Sequence, residues 1–221
     1  MGSGPLISWS YVTQNGGTFL SELGGQVRLT VIAVAIGLLI SLPVALAVRN
    51  RRAARAAVTT VAGIFYTIPS LALFAIIQPI LGYFSTTSAE CALVSYTLLI
   101  LIRNILAGLD GVDADVREAA RVSGYRPLAA LVRIELPLAL PAIFAGLRVA
   151  TVTVVGLVTV TTFIGQNVLG QSITQGFEND FTTPIVVALV LSVALAAVGD
   201  LLLVLTERLV VRWAPPTRRG R

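Results

Sequence analysis

Five long apolar runs separated by polar segments constrain this chain more than any other feature. A bilayer core about 30 Å thick accepts a helix of about 20 apolar residues. The runs 27–48, 56–81, 89–106, 141–164 and 183–205 all lie near that length, with Pro69 and Pro79 interrupting the second. Composition excludes the soluble alternative. Hydrophobic residues fill 56% of 221 positions and charged residues 12%, against about 25% charged in ordinary globular domains. Mean hydropathy is +0.87. The period-two alternation of a membrane β-barrel is missing. The expectation is an all-α membrane protein with five transmembrane helices.

The arginines orient it. Arg49, Arg51, Arg52 and Arg55 follow the first run. Arg103, Arg117, Arg121, Arg126 and Arg133 lie at and beyond the end of the third, and Arg208, Arg212, Arg218, Arg219 and Arg221 follow the fifth. Segments 82–88 and 165–182 contain none, and the second of them holds Glu178 and Asp180. Positive residues stay on the cytoplasmic side, so the N-terminus lies outside and the C-terminus inside. Arg28 is the exception, and Arg148 falls within a run. Three regions follow: an outer segment 1–26, a transmembrane domain 27–209 with a cytoplasmic segment 107–140, and a basic cytoplasmic tail 210–221. Residues 1–11 have neither the basic start nor the apolar stretch of a signal peptide. Trp9, Tyr11 and Phe19 read as interfacial aromatics. The arginine tail reads as an anchor to membrane lipid.

Missing residue types exclude chemistries. With no histidine in the chain, His-based metal sites and Ser-His-Asp catalysis are ruled out. With no lysine, all 16 cations being arginine, the chain cannot form a G-x-x-x-x-G-K-[ST] nucleotide loop. No catalytic residue, metal or cofactor is assigned to it. Any active process draws energy from a partner or an ion gradient. The arginines cluster between apolar runs, which fits membrane topology and not a nucleic-acid face.

The cytoplasmic segment carries helix punctuation. Asp113 or Asp115 suits an N-cap, and Asp115 with Glu118 has capping-box spacing. Val116, Ala119, Ala120 and Val122 form a small apolar face, and Gly124 fits a helix stop. Pro127 suits the first turn of a second short helix through Leu128, Leu131, Val132 and Ile134. Pro137 and Pro141 then mark entry into the fourth run. Small Ala119 and Ala120 let a helix sink into a groove, while Glu118 adds a directional charge or a cap.

The pattern Glu118-Ala119-Ala120-x3-Gly124-x9-Ile134-x-Leu136-Pro137 resembles the EAA signature of binding-protein-dependent ABC importer permeases. The resemblance implies that this segment couples to a cytoplasmic ATPase dimer, which binds ATP and Mg in place of this chain. Tyr66-Thr67-Ile68-Pro69-Ser70-Leu71-Ala72, Leu101-Ile102-Arg103-Asn104, Gly146-Leu147-Arg148 and Ile164-Gly165 followed by Leu169-Gly170 are similar to permeases for glycine betaine, choline, carnitine and related osmoprotectants. One departure stands out: Asn167 and Val168 replace glycines usual in that subfamily. The resemblance implies a methionine-permease-like helical core in a bacterial cytoplasmic membrane. It implies a second permease subunit, identical or homologous, and an external substrate-binding protein.

Several intramembrane residues invite two readings each. Pro69 removes a backbone hydrogen bond, which makes either a pathway-lining bend with Ser70 or a packing kink. Gly165, Leu169 and Gly170 join Pro69 and Ser70 as candidate pathway or gate positions. Arg148 and Asp200 either pair, with Arg148 otherwise snorkelling, or move ions; no relay of buried acids accompanies them. Thr59-x3-Gly63 and Ser192-x3-Ala196 offer small faces for helix packing. An amino-acid permease, such as one for methionine, fits length and span number equally well. A stand-alone secondary transporter calls for an inverted repeat or acidic ion sites, and an intramembrane enzyme for a nucleophile–base pair.

Overall fold

The computed structural model describes residues 7–212. The ends of the outer segment and of the basic tail, with Arg218, Arg219 and Arg221, lie outside the described residues. Every regular element described is helical: α1 (Trp9–Gln14), α2 (Gly16–Val48), α3 (Arg52–Thr67), α4 (Ser70–Leu81), α5 (Thr86–Asp110), α6 (Ala114–Val122), α7 (Pro127–Ala130), α8 (Leu136–Val160), α9 (Gly170–Glu178) and α10 (Thr182–Val210). A π turn, Leu131–Glu135, joins α7 to α8, and a 3-10 turn, Thr161–Ile164, follows α8.

The bundle is built around α5. Of the residues in its most apolar stretch, 72% are buried, against 6% in α10. Helix α5 packs on α2, α3, α4 and α8, whereas α10 leans on α8 and α9. One core cluster joins Leu29, Phe74, Leu93, Val154 and Val168 near one end. The other joins Ala45, Leu101, Ile105, Leu106 and Ile143 near the opposite end.

Helix α2 buries a narrow face of small residues, Ala33, Gly37, Ser41 and Ala45, at four-residue spacing. Such a face lets backbones approach closely in a membrane. A Cβ on Gly37 would sit 1.9 Å from Thr97 Oγ1 on α5. The expected packing face at Thr59 and Gly63 does not behave this way. A Cβ on Gly63 would meet nothing within 4 Å, and the Thr59 hydroxyl donates to its own helix at the Arg55 carbonyl, 2.9 Å.

Three expectations about the spans change. The second run is two helices meeting at 101°. Pro69 supplies no N–H and forces Ile68 out of the helical region, to ψ 128. Pro79, in contrast, is accommodated inside α4. The short helix after Pro127 and the fourth run form one helical path from Pro127 to Ile164, so Pro137 and Pro141 lie within a continuous helix and not at its start. The π turn absorbs the prolines, with the Leu136 N–H reaching back five residues to the Leu131 carbonyl. Finally, α2 begins well before residue 27, because Glu22 and Gln26 are fully buried against the bundle.

Two faces emerge. Arg49, Arg55 and Arg117 meet the ends of α5 and α8 on one. On the other, the Ser8 N–H donates to Thr183, Gln166 bridges to Phe84 and Thr86, and Asn167 reaches Ser21. The arginine-rich ends therefore share one face, as the orientation argument requires. Trp9 is exposed on α1, while Tyr11 packs edge-on against Phe181 at 4.8 Å.

Candidate functional site

Helix α6 is a short cytoplasmic-side helix with defined ends. Asp113 is its N-cap, accepting from the Asp115 N–H at 3.0 Å. The Asp115–Glu118 capping box does not form; Glu118 pairs instead with Arg121 at 2.9 Å. The far end is a Schellman stop: the Gly124 N–H donates to the Arg121 carbonyl and the Tyr125 N–H to the Ala120 carbonyl. Gly124 has φ +79, a conformation a side chain makes costly.

The surface of α6 divides unevenly. Ala120 is buried against its own chain, whereas Glu118 and Ala119 are exposed. Val116, Val122, Tyr125 and Leu128 leave apolar surface facing outward from the bundle. The signature also divides. Glu118, Ala119 and Gly124 lie on this exposed helix and its stop. Ile134, Leu136 and Pro137 are half-buried in the π turn and the foot of α8, with Leu136 against the lower core.

The two halves are bound together by residues outside the signature's fixed positions. Glu135 is the variable position between Ile134 and Leu136. Its Oε2 accepts from Arg49 Nη1 at 2.9 Å and lies 3.7 Å from Arg117 Nε. Arg117, on α6, also donates to the Leu109 carbonyl near the end of α5. Arg55 on α3 donates to Asp110 at 3.1 Å. These contacts tie α6 to α5 by a charge-assisted hydrogen bond, the stronger kind, and to the end of α2 and the foot of α8 through the ion pairs at Glu135. Sequence reasoning missed Glu135, Arg49 and Arg117 as a group. The signal available was a lone acid between Arg133 and the proline-marked start of a span.

The Arg148–Asp200 pair forms, bidentate, at 2.6 Å and 2.9 Å between α8 and α10. Pro69 and Ser70 lie on a cavity of about 300 Å³ at the α3–α4 break, with Tyr66, Tyr96 and Thr153. The structure does not bring Gly165, Leu169 and Gly170 to that cavity. Gly165 (φ +78) borders a separate polar hollow with Gln171 and Gln175. Leu169 is fully buried, and a Cβ on Gly170 would sit 1.8 Å from the Thr159 carbonyl oxygen. Gly170 thus marks where α9 closes on α8. Val168, one of the departures, is fully buried in the upper core.

Also unforeseen is a polar line on α2. Glu22 accepts from the Ser172 hydroxyl at 2.6 Å, and the Gln26 amide donates to the Val155 carbonyl at 2.8 Å, both fully buried. Polar residues at 22, 26 and 30, four apart, were the signal.

The family described as binding-protein-dependent transport system inner membrane component matches residues 27–212. The chain is 32% identical over 199 residues to the glycine betaine/carnitine/choline transport system permease protein OpuCB of Bacillus subtilis, covering 90% of this chain and 91% of that one. It is 32% identical over 200 residues to the choline transport system permease protein OpuBD of the same organism, covering 90% and 88%. It is 29% identical over 197 residues to the osmoprotectant import permease protein OsmW of Salmonella typhimurium, covering 87% and 92%. Among solved structures, it is similar in fold to the inward-facing MetNI methionine ABC transporter, with TM-score 0.79, 20% identity, and coverage of 89% of this chain and 98% of that one. An amino acid ABC transporter with histidines gives TM-score 0.77 at 22% identity, covering 91% and 98%.

Proposed function

Since the chain belongs to the family of binding-protein-dependent transport inner membrane components, we propose that it carries glycine betaine, choline, carnitine or a related quaternary-ammonium solute through the bacterial cytoplasmic membrane as the permease subunit of an ATP-driven importer. The single observation that carries the mechanism is the exposed helix α6, stopped at Gly124 and tied through Arg117 and Glu135 to three long helices. Apart from Ala120, a helix so placed buries little of its own surface, and its ion pairs connect it to the bundle.

In this reading α6 seats in a groove of a cytoplasmic ATPase dimer, with Val116, Val122, Tyr125 and Leu128 as its apolar contacts. ATP and Mg act on that partner, and this subunit performs no chemistry. Closure of the ATPases pulls α6, and the ion pairs pass the displacement to α2, α5 and α8. A second permease subunit, of the same or a homologous chain, covers the bare flanks of this protomer, and an external binding protein delivers the solute. The relatives named above, at about a third identity over most of both chains, support the quaternary-ammonium class. The amino-acid alternative draws on structures of 20% and 22% identity, which speak to fold alone.

Reconstitution into proteoliposomes with the cognate ATPase, permease and binding protein tests this. ATP-dependent uptake of radiolabelled glycine betaine or choline is expected. Solute movement through the chain without the ATPase overturns the importer reading. A cognate binding protein that takes methionine alone overturns the substrate class.

A further inference from the structure

We infer that the break between α3 and α4 is a binding station for the quaternary ammonium group inside the permease itself, built from Tyr66, Tyr96 and the carbonyl end of α3. This rests on the substrate class proposed above and adds the place where the solute is held within the membrane subunit.

Three observations converge there. The first is a cavity of about 300 Å³ at the break, ample for a trimethylammonium group and at the lower bound of ordinary small-molecule pockets. It opens on the surface of the protomer, where Tyr66, Thr67 and Pro69 are exposed. The second is aromatic. Tyr66 and Tyr96 both line the cavity, with ring centroids 6.1 Å apart and planes inclined at 68°. Tyr66 is exposed and offers an open π face, while the buried Tyr96 packs edge to face against it; a methylated ammonium is a ligand such a face favours. Tyr96 is fixed in place because its hydroxyl donates to the Ile68 carbonyl at 2.6 Å.

The third is the backbone. Pro69 ends α3 inside the second span, so the last carbonyls of α3 lack their usual helical donors. The Ile64 carbonyl is satisfied by the Thr67 hydroxyl at 2.8 Å, and the Phe65 carbonyl by the Ile68 N–H at 3.4 Å. Those of Tyr66 and Thr67 have no protein donor among the described residues. A helix C-terminus carries partial negative charge, and a broken membrane helix exposes such groups only where protein or a cavity receives them. Partial negative charge and an exposed π face at one cavity select a cation. A quaternary ammonium has no N–H, so it needs no hydrogen-bond acceptor in fixed geometry and suits rings and diffuse carbonyl charge. A second groove, with Arg148 and Asp200, shares Thr153 with this cavity. Thr153 of α8 thus borders both.

The test is equilibrium binding of radiolabelled glycine betaine and choline to the complete permease–ATPase complex in lipid nanodiscs, without the external binding protein. The wild-type complex is expected to bind both saturably. Tyr66→Leu is expected to weaken binding about tenfold and Tyr66→Phe less than threefold, because phenylalanine keeps the π face. The uncharged isostere 3,3-dimethylbutan-1-ol is expected not to displace bound choline. Thermal unfolding of each complex identifies any variant that fails to fold; in that event Tyr66→Phe and the neutral isostere still decide. The station is overturned by absent saturable binding to wild type, by equal binding in Tyr66→Leu and wild type, by equal losses in Leu and Phe variants, or by displacement with the neutral isostere. Import of glycine betaine by the whole transporter alongside any of these would remove the station and leave the proposed function standing.

Discussion

The two ends of the bundle are held by different chemistry. At the arginine-rich end, Arg49, Arg55 and Arg117 bind Glu135, Asp110 and a helix-terminal carbonyl, and α6 hangs outside with its apolar side bare. At the other end, hydrogen bonds between uncharged groups prevail, and backbones touch: a Cβ on Gly25 would lie 1.9 Å from the Asn167 carbonyl oxygen. Ion pairs at a partly wet rim reform after small shifts, because charge attraction falls off slowly with distance. Close-packed backbone contacts tolerate almost no displacement. Under the proposed function, the arginine end is the one that moves and the opposite end the one that stays.

Labelling gives the sharpest test of that assignment. In a Cys91→Ser background, Tyr83→Cys should react with an impermeant reagent only from outside the cell, and Ser123→Cys only from inside. The reverse pattern would exchange the roles of the two ends. Next in size is Gly124→Val. A β-branched residue at φ +79 costs about 1–2 kcal/mol locally, enough to distort the stop of α6. Uptake should fall about tenfold or more, with loss of ATPase co-purification and normal membrane insertion. Retained co-purification would show that the stop is not a docking element.

Glu135→Gln should be milder at the dock and harsher on coupling. It removes the shared partner of Arg49 and Arg117, a charged hydrogen-bond contribution of about 1.5–3 kcal/mol. The ATPase should still bind and hydrolyse ATP, with several-fold more ATP consumed per solute imported. An unchanged ratio would mean force travels by another route. The smallest effect belongs to the static end. Gln26→Leu removes a buried bond to Val155, and intramembrane bonds of this kind average about 0.6 kcal/mol. A slightly lower unfolding temperature and near-normal uptake are expected; a large transport defect would make that end a moving part too.

What the sequence allowed to be read follows the range of the forces involved. Spans, orientation and the punctuation of α6 depend on local composition and spacing, so Gly124, Asp113 and Pro127 fall where the pattern put them. The size of the bend at Pro69 was not legible, because a proline fixes where a helix breaks and not the angle its halves adopt. The face Ala33-x3-Gly37-x3-Ser41-x3-Ala45 was in plain view, yet Thr59 and Gly63 show the same spacing without a partner. Only the fold says which small face meets another helix. Glu135 needed three segments brought together before its two arginines could be seen. Gly165, Leu169 and Gly170 look alike in sequence to Pro69 and Ser70 as irregular membrane positions, but packing separates them.

The widened turn at Leu131–Glu135 has a mechanical corollary. It is a surplus residue wound into an otherwise regular shaft. Five residues in the wide turn rotate the shaft about as far as four residues of ordinary helix do, roughly 400°. Taking one residue out would therefore restore ordinary winding while keeping the cytoplasmic side nearly in register with the long helix. The turn is slack stored in the shaft: it takes up a residue without changing the heading of what lies on either side, so Glu135 would keep facing Arg49.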